Sequence, residues 1–243
     1  MILFGFGSKE KKEPEEFGSQ LSVSSITVSE TGLVRSDNQD HVFVDDAHGV
    51  YCVADGMGGG AEGSLASEIV CRDIKMLVGA VGRDFKSLVA GVQKAVEEAN
   101  NVIYSYAQEN GLGVMGSTVA ILVLDPANPR HVAVCTVGDT RVYRVSKGMP
   151  ELLTRDHRVG KGNNMLTRAV GVSENVSTEW IEMNSTSASR FVLCTDGVHD
   201  VVSASRLAVF VSAGPLQSAA DRLSADIVKH GAPDNYSFVL VSV

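Results

Sequence analysis

The sequence predicts an α+β fold in which helices pack on the outer faces of β-sheets, and three observations carry that prediction. Short apolar runs, alternating or continuous, are bounded by Gly, Asp, Asn and Pro, as strands are. Four other stretches repeat their apolar residues every three or four positions, as one-faced helices do. The two kinds of segment arrive in blocks: strands, a helix pair, strands, a helix pair, one strand. A doubly wound parallel sheet would alternate them strictly.

The first block holds three strands, around Leu21 to Val28, His41 to Val44 and Val50 to Ala54. From Glu62 to Ala80 the positions Ala66, Val70, Ile74, Leu77 and Val78, with Val81 beyond, form a helical stripe. Gly79 and Gly82 break it. A second stripe runs through Leu88, Val92, Ala95, Val96, Ala99, Val102 and Tyr106 to a stop at Asn110-Gly111. Strand chemistry then returns at Thr118 to Leu124, His131 to Val137, Arg141 to Val145, Val176 to Met183 and Arg190 to Thr195, with turns at Asp125-Pro126 and Lys147-Gly148. Ser203 to Ala213 and Leu216 to Lys229 are helices, and Tyr236 to Val243 is a closing apolar strand.

With 243 residues, 44% of them hydrophobic and 21% charged, the chain has the composition of a globular protein. No internal repeat or linker divides it. Residues 1–18, with the charged run Lys9 to Glu16, are predicted to be a flexible tail, and 19–243 a single domain. Twenty-one basic against 29 acidic residues give a net charge of -8, which argues against nucleic-acid binding. Surplus carboxylate gathered in a cleft would need divalent cations to offset its self-repulsion. Cys52, Cys71, Cys135 and Cys194 stand singly in or beside apolar runs, the pattern of buried thiols. No stretch has the length of a membrane span, and Met1 to Gly7 lacks the basic start and cleavage-type end of a signal peptide. A cytoplasmic protein is expected.

The aspartates are the informative residues. Asp55 ends the apolar run Val50 to Ala54 and precedes Gly56; Asp196 ends Phe191 to Thr195 and precedes Gly197. A carboxylate at a strand end sits on a rigid element yet faces a rim, and the glycine lets a carbonyl approach a cation, which prefers such hard oxygens. Each Asp-Gly taken alone is more often a turn than a ligand. Asp139 lies between two strands, Asp234 precedes the last strand, and Asp40 precedes the second.

With those residues in view the chain resembles the metal-dependent serine/threonine protein phosphatases of type 2C, the PPM family. The resemblance rests on seven ordered blocks: Arg35-x-x-Asn38-Gln39-Asp40, Val53 to Gly59, Gly116-Ser117-Thr118, Val137 to Arg141, Leu166 to Gly171, Leu193 to Gly197 and Asp234 to Ser237. It implies a four-layer αββα sandwich, two central antiparallel sheets flanked by helix pairs. It further implies two Mn2+ or Mg2+ ions bridged by Asp55, one of them also bound by the Gly56 carbonyl, the other by Asp196 and Asp234. Asp40 would hold an ion's water, Asp139 would bind a third ion, and Arg35 would grip the phosphate with its planar fork. The implied reaction is attack of a metal-bridging water on a phosphoserine or phosphothreonine, with no phosphoenzyme. Ser117 and Thr118 then have packing roles.

Implied partners are phosphorylated proteins, a bacterial Ser/Thr kinase to be reversed and a forkhead-associated scaffold, as in control of type VI secretion. A catalytically silent phosphoprotein-binding module and a hydrolase of small phosphate esters are the alternatives. The chain departs from the family at Met57, where animal members carry a proton-donating histidine, and at Gln39, where many carry Glu. It departs again between His157 and Asn164, where only Arg158 to Asn163 stand in place of a longer flap. Arg155, Arg158, Lys161 and Arg168 near that segment equally suit steering of a phosphorylated loop or a solvated face. His157 is either a support for the base of this segment or a solvated loop residue.

Overall fold

The computed structural model describes residues 23–160, 165–186 and 189–243. The predicted tail, the start of the first strand at Leu21 and half of the short flap segment, from Lys161 on, lie outside them. The described residues form β1 (Ser24–Glu30), β2 (Asp40–Asp45), β3 (Val50–Met57), α1 (Ala61–Ala80), α2 (Phe85–Glu109), β4 (Gly116–Ser117), β5 (Val119–Asp125), β6 (Asn128–Val137), β7 (Arg141–Ser146), β8 (Met149–Leu152), β9 (Glu179–Asn184), β10 (Arg190–Cys194), α3 (Asp196–His199), α4 (Ala204–Val211), α5 (Leu216–Lys229) and β11 (Tyr236–Ser242). One sheet runs β1-β11-β10-β7-β8 and the other β2-β3-β5-β6-β9, every pairing antiparallel.

Three apolar layers hold the four-layer sandwich together. In β3, Val50, Cys52 and Ala54 pack under α1 and α2, while Tyr51 and Val53 face the other sheet. In β10, Val192 and Cys194 pack under α4 and α5, while Phe191 and Leu193 face inward. Central strands are thus buried on both faces, which is why they read as continuous apolar runs rather than as alternation. All four cysteines are buried and free.

Several boundaries differ from the sequence prediction. β3 runs on to Met57 because β4 pairs with Gly56 and Met57. The α2 stripe turns onto Ile103 and Ala107, leaving Val102 and Tyr106 exposed, because steps of four after Ala99 follow the buried face. β9 begins at Glu179 rather than Val176. The Lys147-Gly148 turn, both residues at positive φ, leads into β8, a four-residue edge strand too short to be seen in the sequence.

Candidate active site

Strand parity selects the side chains that meet between the two sheets. Asp55 continues the inward side of β3 after Tyr51 and Val53, and Asp40 stands directly opposite it in the β2–β3 register, on the same face. From the other sheet Thr195 continues the inward side of β10, and its hydroxyl donates to Asp40 Oδ2 at 3.0 Å. That hydroxyl in turn accepts from the Ser237 N–H at 3.0 Å. One short chain of hydrogen bonds therefore ties the sheets together beneath the acidic residues.

The two Asp-Gly steps are not merely turns. A Cβ on Gly56 would lie 2.0 Å from the Gly63 carbonyl oxygen, and one on Gly197 would lie 1.9 Å from that of Asn235. Another backbone passes so close at each that only glycine fits. The Asp55 main chain is held by Thr118 N–H, donating to its carbonyl at 2.8 Å, and by the Ser117 hydroxyl, donating to the same oxygen at 3.0 Å. The Thr118 hydroxyl accepts from Asp55 N–H at 3.3 Å and bonds Thr140. Both nucleophile-type residues are thus engaged in positioning Asp55, the packing role expected of them.

Asn235 clamps the loop that carries Arg35. Its amide donates to the carbonyls of Thr31 at 2.9 Å and Asp37 at 2.8 Å, and its oxygen accepts from Gln39 N–H at 2.9 Å. Gln39 itself donates to the Gly60 carbonyl. On the opposite side His157 accepts from Gly138 N–H at 3.1 Å, and its own N–H returns to the Gly138 carbonyl at 2.8 Å, so it supports the Asp139 turn.

These elements gather Arg35, Asp55, Gly56, Asp139, Asp196 and Asp234 around one cleft of about 590 Å³, with Asp40 buried beneath its floor. Met57, Val114, Leu166 and Val172 form its apolar wall. Burial and then the charge of Asp40 push the Asp55 carboxyl well above the usual range. Burial likewise raises Asp40 to about 7, and burial with the charge of Asp139 raises Asp196 to about 6.

Two arginines answer this charge, and they differ. Arg35 Nη2 donates to Asp234 Oδ2 at 2.8 Å from an exposed position. Arg158, for which the sequence suits either steering of a phosphorylated loop or a solvated face, points inward instead: it bonds Asp139 and reaches Asp196 Oδ2 at 3.3 Å. Arg168 lines the cleft from an exposed position, paired with Glu179 at 2.8 Å. The roles of Thr195, Asn235 and inward Arg158 escape sequence reasoning. The first two sit within recognisable blocks, but their partners are remote in sequence.

Among the described residues no three His, Cys, Asp or Glu side chains converge tightly enough to enclose one ion. The donor chemistry nevertheless fits divalent cations. Hard carboxylate oxygens crowd a buried rim, each raising the others' proton affinity, and no donor among the described residues reaches the Asp55 carboxylate. Arg35 pairs with Asp234, and Arg158 with Asp139 and Asp196.

The family model of protein phosphatase 2C matches residues 29–229 of this chain. The serine/threonine phosphatase stp of Listeria innocua is 27% identical over 241 residues, covering 88% of this chain and 93% of that protein. PstP, a serine/threonine protein phosphatase of Mycobacterium tuberculosis, is 27% identical over 234 residues, covering 88% of this chain and 44% of that protein. PppA, described as a key regulatory component of T6SS in Pseudomonas aeruginosa, has a solved structure that superposes with a TM-score of 0.85 at 27% identity, covering 91% of this chain and 98% of that one. The catalytic domain of PstP, solved with 2 manganese ions, superposes with a TM-score of 0.80 at 25% identity, covering 90% of this chain and 97% of that one. Among the described residues no helix is long and apolar enough to cross a membrane.

Proposed function

Because the chain belongs to the protein phosphatase 2C family and is a serine/threonine protein phosphatase, we propose that it hydrolyses phosphoserine and phosphothreonine in proteins by a metal-dependent attack of water. The observation that carries this is the meeting of Asp55, Asp196 and Asp234, from both sheets, with Arg35 at the mouth of the same cleft. Asp55, Asp196 and Asp234, with the Gly56 carbonyl, are the residues to hold two Mn2+ or Mg2+ ions, with Asp40 behind them and Asp139 beside them. Ions held there supply an activated water and neutralise charge on the transferring phosphoryl group.

The chain's own residues do the rest. Arg35, exposed and held by a single partner, turns from Asp234 to grip two phosphoryl oxygens, which its planar fork matches. The Asn235 clamp keeps that arginine at the cleft mouth. Thr195 orients the Asp40 carboxyl toward the floor. Met57 has no proton to give, so the leaving alkoxide takes its proton from water. The apolar wall excludes bulk solvent on one side and receives the residues flanking the phosphorylated one.

The same reading makes 19–243 one phosphatase domain behind a tail at 1–18, acting in the cytoplasm against a Ser/Thr kinase and its forkhead-associated scaffold. The likeness to PppA supports a role in type VI secretion control. The test is phosphate release from a phosphothreonine peptide with Mn2+, with chelator, and by Asp196→Asn. Release that needs metal and disappears in the variant is expected; release that survives chelation overturns the proposal.

A further inference from the structure

We propose that Arg158 is a built-in counter-cation that takes the place of a third divalent ion between Asp139 and Asp196, limiting this chain to two ions. The inference rests on the metal-dependent reading above. Arg158 leaves a surface segment, with Val159 and Gly160 exposed beside it, yet its own side chain is only 13% exposed. Its backbone is anchored by a bridge to Leu166 and by Val159 N–H, which donates to the Met165 carbonyl at 2.9 Å. The direction in which it enters the site is therefore set by the main chain.

The guanidinium is shared among three carboxylates. Nε bonds Asp139 Oδ2, Nη2 lies 3.3 Å from Asp196 Oδ2, and Nη1 lies 3.9 Å from Asp200 Oδ2. The Asp139 side chain is 6% exposed, so its charge cannot be left to water. Burial opposes the charge on Arg158, and the hydrogen bond from its Nε to Asp139 opposes that penalty. Arginine does not lose its proton in proteins, so this occupation holds at any working pH. A third ion would have to strip a buried carboxylate from its partner or settle beside a fixed positive charge, and both are unfavourable. Arg35 makes the contrast: it is 54% exposed, holds one carboxylate and can leave it.

The experiment is a calorimetric titration of Mn2+ into the metal-free full chain, with bound metal counted by equilibrium dialysis. Wild type is expected to saturate at about two equivalents, and Arg158→Gln to gain a third, weaker step that the added Asp139→Asn substitution removes. Circular dichroism checks that each variant is folded. Should Arg158→Gln fail to fold, Asp139→Asn alone decides the matter: its ion count stays at that of wild type if Arg158 owns this carboxylate, and falls if an ion does. A third step in wild type, or its absence in folded Arg158→Gln, overturns the proposal while leaving the two-ion site intact. No uptake by wild type overturns the metal-dependent reading, and this inference with it.

Discussion

Asp55, near the end of β3 in one sheet, and Asp196, just past the end of β10 in the other, carry the same Asp-Gly step, yet they are balanced differently. Asp55 lies within β3, half-buried opposite Asp40, with no donor to its carboxylate among the described residues. Asp196 opens α3 after β10 ends, and Arg158 reaches it while also holding Asp139. One sheet thus presents a carboxylate that must take up a proton or an external cation, and the other presents charge the chain partly offsets itself. The same dipeptide therefore does not imply the same need for metal.

The largest effect that sharpens this contrast is expected from Asp55→Asn. Turnover of a phosphothreonine peptide with Mn2+ should fall by at least about 1,000-fold, roughly 4 kcal/mol of barrier. The same variant should melt higher than wild type in chelator, because a carboxyl crowded by Asp40 and Asp196, with no donor among the described residues, is gone. Asp139→Asn is expected to shift stability the other way. It leaves Arg158 without its nearest partner and should cost about 2 kcal/mol in chelator, read as a melting temperature lower by about 4–8 °C. Shifts of the same sign in the two variants would break the comparison.

The smallest effect is on pH. Burial holds Asp40 to about 7 and Asp196 to about 6, against an ordinary 3.8. Between those limits the folded metal-free chain binds more protons than the unfolded one, so its stability falls as pH rises from about 4 to about 7. Cations need the ionised carboxylates, so the increase in melting temperature that saturating Mn2+ brings should be larger at pH 7.5 than at pH 5.5. Thermal melts at both values, with Mn2+ and with chelator, check the sign.

Much of the fold was legible because its signals are local. The α1 stripe from Ala66 to Val78 and the break at Gly79 and Gly82 before α2 follow from short-range pattern, with Asp84 accepting from Ser87 N–H at 3.0 Å as the cap of α2. The β8 strand was not legible, since Met149–Leu152 is a short edge strand with little buried surface. Nor was α3, because Asp-Gly-Val-His reads as a turn until the Thr195 carbonyl is seen accepting from Val198 N–H at 3.1 Å.

The site divides in the same way. By itself the sequence determined that aspartates end apolar strands beside glycine, and which blocks accompany them, because these are patterns of neighbours along one chain. Only the tertiary structure decided what each carboxylate meets. Asp40 meets Thr195 from 155 residues away, Asn235 meets Thr31 and Asp37 across about two hundred, and Arg158 turns inward to Asp139 and Asp196. The physical reason is that charge balance depends on distance through space and on burial, and both come into being only when the two sheets close on each other.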